Sequence, residues 1–207
     1  MCRVRIEIPD RYRMGPRHDL AAAIWEEAGR VFSAEGGSVV LRPHDGDHRN
    51  ALRSWWKRAH EAPEEIHVFT ETDFLPESGF LASVRADLVQ HDLVATMARH
   101  REDGNSEPVP TSEKAGGWLV VARPKAVPGV TFASNEPGNS LPAEFPKIRL
   151  LTGEWRDPGL YYPGYGLHTF WSRAWHDPNP LGDKFDHDTI MALIDGHLDH
   201  YRKVWNV

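Results

Sequence analysis

The sequence predicts an α/β protein with a mostly parallel central sheet flanked by helices, completed by a C-terminal amphipathic helix. Three observations carry that expectation. Over residues 1–70, short apolar stretches with the alternation of strands take turns with stretches of helical period. The connections between them are short, the pattern of strand-helix-strand units laid into a parallel sheet. Residues 188–207 then carry one apolar stripe at helical spacing.

Val4, Ile6 and Ile8 alternate with Arg5 and Glu7 and stop at Pro9, as a half-buried first strand does. Asp19 reads as the N-cap of a helix with apolar positions Leu20, Ile24, Ala28 and Val31, broken at Glu35-Gly36-Gly37. Residues 38–41 form a second strand that enters the polar loop Arg42-Pro43-His44-Asp45-Gly46-Asp47. Leu52, Trp55, Trp56 and Ala59 mark a second helix, closed by Pro63, and residues 66–70 form the third strand. Beyond Pro76 a helix is expected through Phe80, Val84 and Leu88. Residues 92–98 either extend it or form a strand, and the strand is preferred.

Polar residues 104–114 read as a loop and 118–122 as an apolar strand. Residues 124–146, with repeated Pro, Gly, Asn and Ser, read as a long loop of the kind used for lids and binding. Residues 147–151 and 167–171 are expected as strands on either side of the aromatic turn Tyr161-Tyr162-Pro163-Gly164-Tyr165-Gly166. In the last helix Ile190, Leu193, Ile194, His197, Leu198, Tyr201, Val204 and Trp205 share one stripe. There is no internal repeat.

The 207 residues suit one domain that buries its core without staples. Apolar residues at 40% and charged ones at 26% argue against long disorder. The eight Trp suit a core that borders polar clefts, because each buried indole N–H needs a partner. A net charge of −6 disfavours coating nucleic acid through a broad basic face. Residues 1–60 nevertheless hold eleven Lys or Arg against eight Asp or Glu, which leaves room for a local anion site. No apolar run approaches a membrane span of about 20 residues, and the N-terminus lacks a signal peptide's apolar core, so a cytoplasmic protein is expected. The lone Cys2 excludes an internal disulfide and a thiolate zinc cluster.

In open α/β sheets ligands bind beyond the carboxyl ends of the strands. The loops after the first three strands, which begin at Pro9, Pro43 and Glu71, should meet at one such edge. Glu71 and Asp73, one residue apart there, have two readings. They are a carboxylate pair for a hard divalent cation, or a strand-end turn in which Asp73 caps the next helix. No P-loop, GxSxG elbow or HExxH occurs. His197 and His200 lie three apart within the closing stripe, a weak metal signal.

The stretch HVFTETDFLP, an apolar strand ending in acid-x-Asp and followed by apolar residues and proline, resembles the metal-binding DxD region of GT-A glycosyltransferases. VRIEIPDR resembles their first strand and nucleotide-facing loop, and HRNALRSWWKRAHE the helix before the DxD strand. GLHTFWSRAWHDP adds a His at the late position where many such enzymes supply a metal ligand. The resemblance runs over about the first 80 residues, and departs from the pattern in having Glu as its first acid.

The resemblance implies a Rossmann-like GT-A fold over 1–207, with 1–100 the nucleotide-binding half, 101–187 the acceptor side and 188–207 the closing helix. It implies that Glu71, Asp73 and His168 hold Mn²⁺ or Mg²⁺ against the diphosphate of a nucleotide sugar. Pro9, Asp10, Arg11, His44 and Asp45 would contact the nucleotide, with Arg11 the anion contact. Arg173 would assist, or alternatively pair with Asp177 at the surface. An inverting enzyme needs a carboxylate base, for which Asp177 and Glu154 are candidates, although His176-Asp177 also reads as a turn stiffened by Pro178 and Pro180. Tyr161, Tyr162, Tyr165, Trp171 and Trp175 either stack on a sugar or fill the core. The implied function is sugar transfer from a nucleotide donor to DNA, protein or glycan. The alternatives are a metal-dependent phosphoester hydrolase and a sugar- or nucleotide-binding module without catalysis.

Overall fold

The computed structural model describes residues 2–10, 15–44, 48–97, 115–128, 147–156, 158–169 and 186–207. Its strands, in chain order, are β1 (Val4–Asp10), β2 (Gly37–Pro43), β3 (Ile66–Thr70), β4 (Phe74–Pro76), β5 (Leu93–Met97), β6 (Ala115–Ala122), β7 (Ile148–Leu151), β8 (Glu154–Arg156), β9 (Gly159–Tyr162) and β10 (Gly166–His168). The helices are α1 (Pro16–Ser33), α2 (His48–Ala59), α3 (Phe80–Gln90) and α4 (His187–Trp205), and a short 3-10 turn covers Pro124–Ala126.

Among the described residues, six strands form a sheet in the order β2-β1-β3-β6-β5-β7. β1 pairs in parallel with β2 and β3, β5 pairs in parallel with β7, and β6 runs antiparallel to both β3 and β5. Five strands therefore point one way, and their carboxyl ends share an edge. The expected mostly parallel α/β fold is the observed one. β3 is buried at all five positions because it lies inside the sheet and is covered on both faces. One core cluster packs α1, α3 and α4 against Val4, Ile6, Ile8 and Val68, and a second packs α2 through Trp55 and Trp56 against Phe69, Val120 and Ala122.

A second sheet, β4-β10-β9-β8, is antiparallel throughout and joins the first core through Phe74, Leu160, Tyr162 and Leu167. β4, β8 and β9 have no counterpart in the sequence reading. Tyr161 and Tyr162, expected in a turn, lie in β9, and only Pro163 to Tyr165 turn. The hairpin closes tightly on β4: Gly166 has φ 146, and a Cβ there would stand 2.1 Å from the Leu75 carbonyl oxygen, so only glycine fits. Two carboxylates fix the turn. Glu77 accepts from the Tyr161 hydroxyl at 2.5 Å and from Gly164 N at 3.2 Å, and Asp87 on α3 accepts from the Tyr165 hydroxyl at 2.6 Å while pairing with Arg149. Burial and the Asp87 carboxylate both push the Tyr165 pKa upward, so the hydroxyl keeps its proton and the bond.

The helices differ from expectation in their details. α1 opens at Pro16, not beyond Asp19, because proline's fixed φ and missing N–H suit a first turn, and Gly15 at φ 91 leads the chain into it. Asp19 sits inside that turn, where its charge still favours the helix dipole. The buried stripe is His18, Ala21, Ile24, Trp25, Ala28 and Phe32, and Val31 faces outward. α4 is capped by Asp186, whose carboxylate accepts from Thr189 N at 2.8 Å, and ends at Asn206 in the left-handed conformation. Its buried positions are Ile190, Met191, Ile194, Leu198, Tyr201 and Trp205, with Val204 exposed. None of the described helices is long and apolar enough to cross a membrane.

Trp205 fastens α4 to the rest of the fold. Its indole N–H donates to the Pro76 carbonyl at 2.8 Å, and its ring meets Phe32 edge-on at 5.4 Å. Trp205→Ala removes that buried ring and leaves the carbonyl unsatisfied, so it should cost about 3–5 kcal/mol in chemical denaturation. A loss under about 1 kcal/mol would show that α4 is not a structural part of the core.

Candidate metal site

The chain leaves β3 through a β-turn closed by Phe74 N donating to the Glu71 carbonyl at 3.1 Å, and continues directly into β4. This overturns the reading of Asp73 as a helix cap: the next element is a strand, and α3 begins later, at Phe80 behind Gly79. The turn is held from both sides. The Thr72 hydroxyl donates to the Pro9 carbonyl at 3.4 Å, and Thr169 donates to the Asp73 carbonyl from its N at 3.0 Å and its hydroxyl at 3.1 Å. A backbone fixed at both ends leaves the two carboxylates little freedom to move apart.

Thr169 follows His168, so the same contacts deliver an imidazole. His168 Nε2 lies 3.2 Å from Glu71 Oε2 and 3.4 Å from Asp73 Oδ1. One ligand atom from each of Glu71, Asp73 and His168 falls within 4.8 Å of the other two. Asp73 is 1% exposed and His168 3%, whereas the Glu71 side chain keeps 26% of its surface in solvent. The trio is a buried pair with one member facing out. Two carboxylates and an imidazole could together hold a divalent metal ion, the class of cofactor that the resemblance implies.

Electrostatics in the protein without metal follow from the same geometry. Burial is the largest single influence on His168 and disfavours its charged form, but the combined pull of the Asp73 and Glu71 carboxylates outweighs it. The ring pKa is raised from 6.5 to about 9. At neutral pH a proton therefore occupies the place between the carboxylates, and a metal ion would displace it.

The remaining candidates fall into three groups. Pro9 is buried in β1, Asp10 ends β1 opposite Pro43, and His44 follows β2, so all three stand at the edge that carries Glu71 and Asp73. Glu154 is not brought to the trio. Residues paired across an antiparallel sheet share a face; Glu154 and Leu167 both pair with Tyr161, whereas His168 pairs with Leu160. Glu154 is thus exposed on the opposite face, 4.0 Å from Arg156. Arg11, Asp45, Arg173 and Asp177, with Trp171 and Trp175, lie outside the described residues. Tyr162 and Tyr165 are core residues, and Tyr161 is covered by the Arg156 guanidinium 3.4 Å above its ring.

Sequence reasoning missed Trp118, in the middle of β6. Its indole lies parallel to the His168 ring, with centroids 5.3 Å apart and planes within 1°. Phe74 stacks on the same imidazole at 6.4 Å. Nothing local marks Trp118 in the sequence, because its neighbour is set by β6 running back beside β3.

No protein-family model matches the chain, and no curated protein matches it. Among solved structures it is similar to the glycosyltransferase GlyE of Streptococcus pneumoniae TIGR4, at 10% identity and a TM-score of 0.47, over 99% of this chain. The chain spans 64% of the length of that protein. It is also similar to 4-diphosphocytidyl-2C-methyl-D-erythritol synthase, at 10% identity and a TM-score of 0.41, over 93% of this chain and 98% of the other.

The raised pKa has a measurable sign. His168 binds its proton more tightly folded than unfolded, so its stabilising contribution is complete below 6.5 and is lost as pH rises through about 9. In metal-free protein, NMR titration of the His168 ring should give a midpoint near 9, and Glu71→Gln together with Asp73→Asn should lower it by more than about 1 unit. A midpoint at or below 6.5 in the parent would contradict the observed pairing.

Proposed function

We propose that the chain is a divalent-metal-dependent glycosyltransferase of GT-A-like build, which moves a sugar from a nucleotide-sugar donor to an acceptor in DNA, protein or glycan. The observation that carries this reading is the convergence of Glu71, Asp73 and His168 at the carboxyl edge of a mostly parallel sheet. Residues 1–207 are read as one domain, with the donor held by 1–100 and the acceptor side formed from 101–187.

Each residue then has a defined task. Asp73 and His168 supply buried, fixed donor atoms, and Glu71 supplies the donor that faces solvent. When bound, Mn²⁺ or Mg²⁺ neutralises the charge that develops on the departing nucleotide diphosphate. Pro9, Asp10 and His44 line the same edge and would border the nucleotide, with Arg11 and Asp45 following them in sequence. Arg173 is assigned to the diphosphate. Of the two carboxylates considered as a base toward the acceptor, the proposal keeps Asp177, since Glu154 faces away from the trio.

A panel of nucleotide sugars, each with and without Mn²⁺, tests the reading by thermal shift and donor turnover. A matching donor should raise the melting temperature only with metal, by the equivalent of about 2.7 kcal/mol at a hundredfold excess over Kd. Asp73→Asn should cut transfer by about 100-fold or more. Turnover of a generic phosphoester without any sugar donor would identify a hydrolase instead. Metal-dependent donor binding with no transfer or donor hydrolysis would identify a binding module.

A further inference from the structure

The trio draws its members from two sheets. Glu71 and Asp73 follow β3 in the six-stranded sheet, and His168 ends β10 in the four-stranded one. Metal coordination requires the imidazole lone pair, which lies in the ring plane at Nε2, to point at the place between the carboxylates. The tilt of that plane is consequently as important as the position of β10.

We propose that Trp118 is a positioning residue for this site, setting the plane of His168 and the distance between the two sheets that supply the donors. The inference rests on the reading of the trio as a metal site. Trp118 is bonded to both parts. Its backbone carbonyl accepts from the Thr70 hydroxyl at 3.0 Å, one residue before Glu71, and its indole N–H donates to the Tyr162 hydroxyl at 2.9 Å, on β9 beside β10. Its ring lies flat on the imidazole. On the Tyr162 side the arrangement continues, since Tyr162 stacks on Phe74 at 6.0 Å and Phe74 stacks on His168. The imidazole is therefore oriented by aromatic rings anchored to both sheets. A tilted ring would leave the trio's composition intact and still aim Nε2 away from the carboxylates.

The test is Mn²⁺ binding by isothermal titration, read beside ring proton shifts of His168 in metal-free protein. Trp118→Ala should weaken Mn²⁺ binding by about 10–100-fold, the usual penalty for losing a residue that orients a ligand. It should also remove the ring-current shift that the indole imposes on His168. Trp118→Phe restores a ring for the imidazole to lie on and should recover most of the affinity. Tyr162→Phe, which removes only the hydroxyl that holds the indole, should fall between them, and it provides the measurement should Trp118→Ala fail to fold. If Asp73→Asn abolishes Mn²⁺ binding while Trp118→Ala, or Tyr162→Phe in its place, binds like the parent with His168 shifts unchanged, the positioning role is overturned and the metal site stands. If the parent chain binds no Mn²⁺, or Asp73→Asn binds it equally well, the metal reading fails and this inference with it.

Discussion

The turn from Glu71 to Phe74 is the constraint on which the arrangement depends, because within it the chain leaves one sheet and enters another. β3 is buried on both faces, so its end cannot drift, and Phe74 begins β4 immediately after the turn. Two acidic residues are thereby fixed at the seam. β10 must then come alongside β4, with His168 opposite Phe74, and this register sets the imidazole next to the carboxylates. A one-residue slip would turn His168 to the other face of the small sheet and present Leu167 in its place.

Burying charges at this seam carries a desolvation penalty that their mutual attraction must offset. Apolar side chains of similar size often hold such a position as well as an ion pair or better, because desolvation offsets much of the attraction. Here Asp73 is almost wholly buried and pairs with His168, on whose ring Phe74 and Trp118 stack. Buried ionisable groups that converge in this way are a pattern shared by functional sites.

How much of this was legible in the sequence depended on how far apart the partners lie. β3 could be bounded at residues 66–70 because IHVFT is apolar and flanked by clear breaks, and the acidic turn after it followed. The three parallel strands with their loops at one edge were equally visible, since each strand-helix-strand unit is local. β4, β8 and β9 were hidden because strands of three or four residues carry no useful periodicity, and β4 takes its identity from β10, some ninety residues later. The start of α1 was misplaced because Asp19 offered a capping signal that Pro16, already helical, made redundant. His168 was identified from a family resemblance, whereas its contacts with Trp118 and Tyr162 depend on strand register that no local pattern encodes.

The unequal exposure of the three donors gives the site a direction. Asp73 and His168 are enclosed by the two sheets, and Glu71 alone keeps substantial contact with solvent. The long Glu71 side chain starts at the rim and reaches the same Nε2 atom that Asp73 reaches from within. Under the metal-site reading, an ion would enter from the Glu71 side. That side is the carboxyl edge of the sheet, where β1 ends at Asp10 and β2 gives way to His44. The trio thus keeps two enclosed members and one at the surface from which a ligand would approach.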